Sequence, residues 1–424
     1  MKDELSGLSE PQLTKTYLDS PSTKLVDPSP HFEQLPISLA AHRLAAADNS
    51  AWKVHTDAMQ RIAEGKSIIP LSIGDPDFNT PDYINVGLIE AIKRHRTHYT
   101  SPAGETRLKN ELARLETRTS GYTRHPNQFT VFHGATGAIH ATLSCIANPG
   151  DNVVTAEPKY IGYEPTCATI GVDLKTVPMD PPGFTVDVDA LINAVDQRTV
   201  GMIINTPSNP MGNVTPAYDL KRLADECRIR NLWLISDEVY SLLCFEQKHV
   251  SVLNVVENLE NVVVVDSLSK SHAMSGWRVG WTVSSPEFSE RLADYALGAF
   301  FCGSPFIQDG ATYALKHNTE RVQKMVEQYK LRRDYTLDRV QAVEGLSAER
   351  PAGGMFVMVN VHEDGDQFAR RLLDEAGVSV FPGSACGEGT RNFVRVGLAK
   401  PISELEEAWN RIESWLNNRE RIEP

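Results

Sequence analysis

The 424-residue sequence predicts an α/β fold: a large domain with a mostly parallel, mixed sheet between helices, followed by a smaller α+β domain. Two observations support this prediction. Short β-branched runs alternate with amphipathic helical stretches through the middle of the chain, which is typical of parallel strands covered by helices on both faces. After a long helical pattern, three further β-rich segments follow one another and indicate the second unit.

The large domain is expected over residues 71–310. Its strands are expected at 129–132, 152–155, 200–205, 232–236 and 261–265. Between two of them, the stretch 217–231 places apolar residues at helical spacing. Because the strand runs are apolar almost throughout, we expect both faces of the sheet to be buried.

The two ends of the chain have different patterns. Residues 1–30 are polar and contain several Ser and Pro, so we expect a flexible arm that buries little surface. Residues 31–70 are helical in pattern up to the C-cap signal at Gly65 and are expected to join the small domain. The rest of the small domain is expected over 311–424. Its elements are a helical pattern from 306 to 340, β-rich segments at 353–361, 378–383 and 393–399, and a terminal helix at 402–417.

Composition and charge exclude several classes of protein. The chain has 42 Lys and Arg against 55 Asp and Glu, whereas a nucleic-acid surface requires clustered cations. No apolar run approaches the ~20 residues of a membrane span, and no apolar stretch of a secretory signal opens the sequence. The six cysteines are dispersed without a C-x-x-C pair. We therefore expect no disulfide framework, no metal site and a cytoplasmic location.

Four segments with small or polar residues begin where a predicted strand stops, which is the edge of an open α/β sheet at which ligands bind. After strand 129–132, Gly134, Ala135 and Thr136 open a helix, and free N–H groups at a helix start bind phosphate. After strand 200–205 a turn contains Asn209. Taken singly, these motifs are equally typical of ordinary strand–turn–helix junctions.

Two further strand ends supply ionisable side chains. Strand 232–236 is followed by Asp237 and Tyr240, although a lone carboxylate at this position would more often be a helix N-cap. Strand 261–265 is followed by two hydroxyls and two cations: Ser267, Ser269, Lys270 and Arg278. A lone lysine after a strand is usually solvated. The hydroxyls, small residues and second cation here favour a lysine held near an anionic ligand.

Taken together, these segments resemble the class I/II aminotransferases of fold type I. The pattern S-x-S-K-x-x-A-M-x-G-W-R is met by residues 267–278. Other landmarks of the family occur in order: GDPDF at 74–78, GAT at 134–136, NTPSNPMG at 205–212, SDEVY at 236–240, GGMF at 353–356, PGSACG at 382–387 and FVRVGLA at 393–399. The resemblance spans roughly residues 50 to 415, so it implies a pyridoxal 5'-phosphate enzyme over nearly the whole chain.

The resemblance also implies roles for individual residues. Lys270 would form the internal Schiff base with the cofactor and later move a proton on the substrate. Asp237 would pair with the pyridine nitrogen, while Asn209 and Tyr240 would hydrogen-bond the phenolic oxygen of the ring. Tyr160 would stack on the ring. The phosphate would be held by residues from three segments: Gly134, Ala135, Thr136, Ser267, Ser269 and Arg278.

For the substrates, the resemblance implies an amino acid and a 2-oxo acid. Arg395 would clamp the substrate α-carboxylate, with Gly74 and Asn209 beside it. Tyr99 would reach the phosphate of a neighbouring subunit, which implies a homodimer with shared active sites. Segments such as AWKVHTDAMQRIAEGK, with His272 two residues after the lysine, resemble arginine:pyruvate transaminases in particular. That likeness implies arginine or another basic or extended donor.

Two other functions stay open from the sequence alone. The same cofactor supports elimination or replacement at a β or γ carbon, or C–C or C–N bond formation, in natural-product pathways. Release of a leaving group without consumption of an acceptor would indicate that chemistry. A regulator that combines an aminotransferase-like domain with a DNA-binding domain is disfavoured by the negative charge and by the short, Pro-rich arm.

Overall fold

The computed structural model describes residues 37–46, 50–317 and 319–419, and the arm predicted at 1–30 lies outside them. The first elements are α1 (Leu39–Ala46), α2 (Ser50–Ala63), β1 (Ile69–Pro70), α3 (Asp82–Lys93), α4 (Thr106–Ser120), β2 (Phe129–Phe132), α5 (Gly134–Ile146), β3 (Asn152–Glu157), α6 (Tyr163–Ile170), β4 (Asp173–Pro178), α7 (Val188–Asn193) and β5 (Thr199–Asn205). There follow α8 (Ala217–Ile229), β6 (Trp233–Asp237), β7 (Val262–Ser267), α9 (Leu268–Ser271), β8 (Gly280–Val283), α10 (Pro286–Phe300), α11 (Pro305–Lys316), α12 (Thr319–Ala342), β9 (Ser347–Ala348), β10 (Phe356–Asn360), α13 (Gly365–Arg371), β11 (Val378–Ser379), β12 (Phe381–Pro382), β13 (Phe393–Gly397) and α14 (Ile402–Arg419).

The large sheet has seven strands in the order β2-β8-β7-β6-β5-β3-β4. The pairs from β7 to β4 are parallel, while β8 pairs antiparallel with both β2 and β7. The mostly parallel, mixed sheet that the sequence predicts is therefore confirmed. Because β2 runs in the same direction as β7, the carboxyl ends of β2, β3, β5, β6 and β7 lie along one edge of the sheet.

The central strands are apolar throughout because their side chains alternate between two cores. Val262 and Val264 pack with Leu234 in one cluster, while Val263 and Val265 pack in the other. All of these side chains are buried. Helices cover both faces, as expected for a parallel sheet, so the sheet is a rigid base for the loops at its carboxyl edge.

A third core joins the two ends of the described chain. Val54 and Leu71, from the N-terminal segment, pack with Met325 of α12 and Trp409 of α14. Its main sheet has the antiparallel order β12-β13-β10-β9, and β1 pairs parallel with β11. Residues before the large sheet and after it thus share one apolar core, which holds the segment 69–75 against the end of the large sheet.

Two details of the prediction are wrong. The single helical pattern from 306 to 340 forms two helices, because His317 is extended (φ −119°, ψ 132°) at the end of α11. Ala311 of α11 packs in the core of the large sheet, whereas Met325 of α12 packs in the core shared by the chain ends. The break lets each stretch bury its apolar face in a different core. Similarly, segment 378–383 forms two short strands, β11 and β12, which belong to different sheets.

Candidate active site

The carboxyl ends of three neighbouring strands form the base of the candidate site. Asn205 of β5 pairs with Asp237 of β6, and Asp237 pairs with Val265 of β7, two residues before Ser267. A cavity of about 430 Å³ opens beside them, a size typical of small-molecule sites. Its lining includes twelve of the predicted site residues: Gly74, Ala135, Thr136, Tyr160, Asn209, Asp237, Tyr240, Ser267, Ser269, Lys270, Arg278 and Arg395.

Lys270 is the amine of this cavity. It lies on α9, the single helical turn that follows β7 directly. Its Nζ donates a hydrogen bond to the carbonyl oxygen of Gly74. Burial lowers the pKa of the Lys270 amine to about 8, and the nearby Asp75 carboxylate opposes part of that shift. A lysine with this pKa is unprotonated far more often near neutral pH than one at the surface.

Asp237 is a buried carboxylate at the end of β6. It accepts a hydrogen bond of 2.6 Å from the Tyr163 hydroxyl and a longer one of 3.4 Å from the Val239 amide. Burial raises the pKa of Asp237 to about 6, although these two hydrogen bonds act in the opposite direction. No cation among the described residues forms a salt bridge with it. Because Asp237 also lines the cavity, a positively charged group bound there could pair with it.

An anion cradle lies at the start of α5. Gly134 has φ +79°, and a Cβ built on it would lie 2.3 Å from Nη2 of Arg278. Arg278 itself has φ 55°, and its guanidinium donates to the carbonyl oxygens of Ser275 and His133 at 2.8 and 3.2 Å. A non-glycine residue in the left-handed region is uncommon and is frequent at functional sites. The backbone N–H groups of Ala135 and Thr136 open the helix beside this guanidinium, so the cradle suits a phosphate.

Arg395 is held rigidly on β13. Its Nη1 donates to Oδ1 of Asn209 at 3.0 Å and its Nη2 donates to the carbonyl oxygen of Ser72 at 3.1 Å. Its guanidinium carbon lies 4.1 Å from the centroid of the Phe356 ring and 4.6 Å from that of Phe381. Arg395 lines the cavity, and the described residues engage only two of its five guanidinium N–H donors. A fixed guanidinium with donor capacity left suits a carboxylate ligand.

The remaining predicted residues divide into two groups. Tyr160 and Tyr240 both line the cavity, and Nδ2 of Asn209 contacts the Tyr240 hydroxyl at 3.5 Å. Burial raises the pKa of both tyrosines, so both hydroxyls stay protonated and act as donors near neutral pH. Tyr99 does not line this chain's cavity; it is 83% exposed and packs against Phe301 with ring centroids 4.5 Å apart.

Sequence reasoning missed several side chains that shape the site. Tyr163, the hydrogen-bond partner of Asp237, lies in the segment AEPKYIGYE, but nothing in the segment indicates which of its two tyrosines contacts Asp237. Trp52 and Asp75 line the cavity and stand in segments used for the resemblance without a role assigned to them. Ser72 contributes only its backbone carbonyl to Arg395, which no residue-type signal would reveal.

Residues 37–46, 50–317 and 319–419 contain no cluster of three or more His, Cys, Asp or Glu that could hold a metal ion. Within the same ranges, no helix is both long enough and apolar enough to cross a membrane.

The fold and this set of side chains define a transaminase. The family of class I and II aminotransferases matches residues 66–412, and the chain belongs to it. A Pseudomonas aeruginosa protein named arginine–pyruvate transaminase is 38% identical over 374 residues, which cover 87% of this chain and 95% of the relative. An aspartate aminotransferase of Geobacillus stearothermophilus is 30% identical over 391 residues, covering 89% and 99%. The crystal structure of an aspartate aminotransferase from Thermotoga maritima has a TM-score of 0.83 at 28% identity, covering 92% of this chain and all of that one.

These comparisons confirm the family resemblance, the fold type and the likeness to arginine:pyruvate transaminases. Aminotransferases of this family depend on pyridoxal phosphate, so the chain is a pyridoxal-phosphate-dependent aminotransferase. The residues present fit this cofactor: the cradle at Gly134 and Arg278 could hold its phosphate, and the Lys270 amine could hold its aldehyde carbon. Asp237 is buried without a cationic partner among the described residues, and a protonated ring nitrogen would supply that positive charge.

Proposed function

We propose that this cavity transfers the α-amino group of arginine, or of another basic or extended amino acid, to a 2-oxo acid such as pyruvate. The best support is that one lining holds the Lys270 amine, the Asp237 carboxylate and the Arg395 guanidinium. The choice of donor and acceptor rests on the 38% identity to a protein named arginine–pyruvate transaminase.

Residues at the carboxyl edge of the large sheet would hold the cofactor. Lys270 would bind it covalently through its amine, and Tyr160 would stack on its ring. The phosphate would be held by backbone N–H groups, hydroxyls and a guanidinium: those of Gly134, Ala135, Thr136, Ser267, Ser269 and Arg278. When bound, pyridoxal phosphate supplies an electron sink for the substrate carbon that loses a proton. Gly134 matters chiefly because its missing Cβ leaves room for the Arg278 guanidinium.

Asp237, Tyr240 and Asn209 would set the protonation state of the ring. The Asp237 carboxylate would hold a proton on the ring nitrogen, because an ion pair removes the cost of a buried, unpaired charge. The Tyr240 hydroxyl and the Asn209 amide would donate hydrogen bonds to the phenolic oxygen. Tyr163 would act through Asp237 as a positioning residue, since its hydroxyl holds the carboxylate at 2.6 Å.

Lys270 would also move the proton. Once the substrate amine has replaced it on the cofactor, its free amine would remove the proton from the substrate α-carbon and deliver it to the former aldehyde carbon of the cofactor. The same transfer would run in the opposite direction when the 2-oxo acid is the substrate. Its pKa of about 8 suits this role, because general bases work best with a pKa near the working pH. Arg395 would fix the substrate α-carboxylate, with the backbone of Gly74 and the Asn209 amide beside it.

We also propose that the protein is a homodimer whose subunits share active sites, and that it is located in the cytoplasm. Tyr99 lies beside Phe301, which is 47% exposed, so two large aromatic side chains form part of the surface. Adjacent exposed apolar side chains often mark a contact surface. Because Tyr99 lies outside the cavity of its own subunit, its position supports a contact with the cofactor phosphate of a neighbouring subunit. The six cysteines are free thiols, which fits a reducing compartment.

The proposal is tested by measuring both products of the reaction. Purified protein with pyridoxal phosphate is given L-arginine and pyruvate, and alanine formation is compared with consumption of arginine. We expect one alanine per arginine consumed, and loss of activity in Lys270→Ala, whose substitution removes the amine and leaves the rest of the cavity lining unchanged. Release of ammonia or of a side-chain fragment without any need for pyruvate would contradict transamination and support elimination.

A further inference from the structure

The cavity contains one carboxylate that the proposed chemistry does not use. Of the two carboxylates in its lining, Asp237 lies at the buried base, whereas Asp75 is exposed at the mouth. One oxygen of Asp75 accepts a hydrogen bond from the Ser275 hydroxyl. No cation among the described residues forms a salt bridge with it, so its second oxygen is free to accept a hydrogen bond from a ligand.

The mouth also presents an aromatic surface. Trp52 of α2 lines the cavity and is 42% exposed, which is unusual for the largest apolar side chain. Its ring is held edge-on against Phe381, with centroids 5.5 Å apart at 78°, and against His55 at 6.1 Å and 74°. Nδ1 of His55 in turn contacts the Ser72 hydroxyl at 2.9 Å. Trp52 is therefore anchored on its edges while part of its surface stays open to the cavity.

We propose that Asp75 and Trp52 form the subsite for the cationic end of the donor side chain, a guanidinium or an ammonium group. This inference rests on the proposed function, in which Arg395 holds the α-carboxylate and the α-amine approaches Lys270. An extended side chain fixed at that end must leave through the mouth. There it meets a free carboxylate oxygen for a charge-assisted hydrogen bond and an indole surface for a cation–π contact.

The chemistry of the two residues selects a planar cation in particular. A guanidinium can donate to a carboxylate with its edge while its face lies on an aromatic ring, whereas an ammonium can use only one of these contacts well. Ile73, another exposed side chain of the lining, is apolar and suits the methylene groups of an extended donor.

The alternative role for Asp75 is to adjust the protonation of Lys270, with no contact to the donor side chain. The two roles differ in their dependence on substrate. Loss of a contact with a cationic side chain affects cationic donors alone, whereas a changed Lys270 pKa affects every donor equally and moves the pH profile.

The test compares L-arginine with L-citrulline, its uncharged isostere, in Asp75→Asn. We expect kcat/KM for arginine to fall by about 10- to 100-fold, the effect of losing one charge-assisted hydrogen bond, and that for citrulline to change by less than about threefold. Asp82→Asn is the matched control, because Asp82 is an exposed carboxylate seven residues along the chain that does not line the cavity. It should leave both donors unchanged.

A binding measurement separates recognition from catalysis. The probe is 5-guanidinopentanoate, which is arginine without its α-amine and therefore cannot react. We expect it to change the fluorescence of the loaded enzyme, to bind at least about tenfold more weakly to Asp75→Asn, and to give a smaller fluorescence change in Trp52→Phe.

The outcomes are distinguishable. Equal losses for arginine and citrulline in Asp75→Asn, with a shifted pH profile, would overturn the subsite and leave transamination intact. A wild-type enzyme whose kcat/KM for citrulline equals that for arginine would overturn it too. Absence of amino-group transfer from every donor would refute the proposed function itself.

Discussion

Replacing Asp237 by Asn tests the electrostatics of the site in the cofactor-free protein. The carboxylate is 3% exposed, and its shortest hydrogen bond, from the Tyr163 hydroxyl, is 2.6 Å long. Burial raises its pKa from 3.8 to about 6. Asparagine has the same shape and keeps an oxygen that can accept from Tyr163, but it has no proton to titrate. The difference between the two proteins therefore isolates this one group.

The sign of the effect follows from the direction of the shift. The folded protein binds this proton more tightly than the unfolded chain, so the protonated carboxyl stabilises the fold below about pH 4. That stabilisation is lost as the pH rises through about 6. At about 1.4 kcal/mol per unit, a rise from 3.8 to about 6 corresponds to about 3 kcal/mol. The free energy of unfolding of Asp237→Asn, minus that of the wild type, should therefore increase by about 3 kcal/mol between about pH 4 and pH 7.

The assay is urea unfolding of both cofactor-free proteins at several pH values across this window. The same series with saturating pyridoxal phosphate should lose the trend, because a protonated ring nitrogen then pairs with the carboxylate in the wild type only. A difference that stays constant or decreases with pH in the cofactor-free proteins would refute the reasoning, since it would mean that Asp237 is already compensated within the chain.

Three further predictions follow from the same geometry. Arg395→Lys should lower kcat/KM for amino-acid donors by about 10- to 100-fold without releasing the cofactor, because an ammonium cannot replace the two parallel N–H donors of the guanidinium. Steady-state kinetics and the absorbance of the bound cofactor check this. Unchanged kinetics would exclude Arg395 as the residue that binds the substrate α-carboxylate. Gly134→Ala would place a Cβ 2.3 Å from the Arg278 guanidinium. It should weaken cofactor retention on dialysis at least about tenfold, while the control Gly137→Ala, whose Cβ meets only ordinary contacts at 3.7 Å, should not. Mixed dimers of Lys270→Ala and Tyr99→Phe subunits should regain activity that neither variant has alone, because one of their two sites then combines Lys270 of one subunit with Tyr99 of the other. Proven mixed dimers without this activity would contradict active sites shared between subunits.

Much of this site was predictable because it lies at strand ends. Apolar runs indicate where strands stop, and parallel strands place their carboxyl ends together, so Asn205, Asp237 and Ser267 had to meet at one edge. The order of motifs then identified Lys270 and Arg278 as partners in one cavity. The meeting of the strand ends needs only local patterns and the geometry of parallel sheets, whereas the roles of Lys270 and Arg278 came from the family resemblance.

The remaining features depend on packing between segments distant in sequence. Arg395 is sandwiched by Phe356 and Phe381, and the three residues come from three different strands of the small sheet. Tyr163 reaches Asp237 from a helix 74 residues earlier in the chain. The helix break at His317 arises because the chain passes from one core to another, whereas the local pattern is helical on both sides.

The assignment of Lys270 is tested most directly by reducing the pyridoxal-phosphate-loaded protein with borohydride, digesting it and measuring peptide masses. Reduction fixes the cofactor on the lysine that holds it. We expect one pyridoxyl phosphate group, on the peptide that contains Lys270, and none in Lys270→Ala. Lys159 is a buried lysine as well, and it precedes Tyr160 directly in the sequence. The account would be contradicted by a label on Lys159, or on several surface lysines, with Lys270 unmodified.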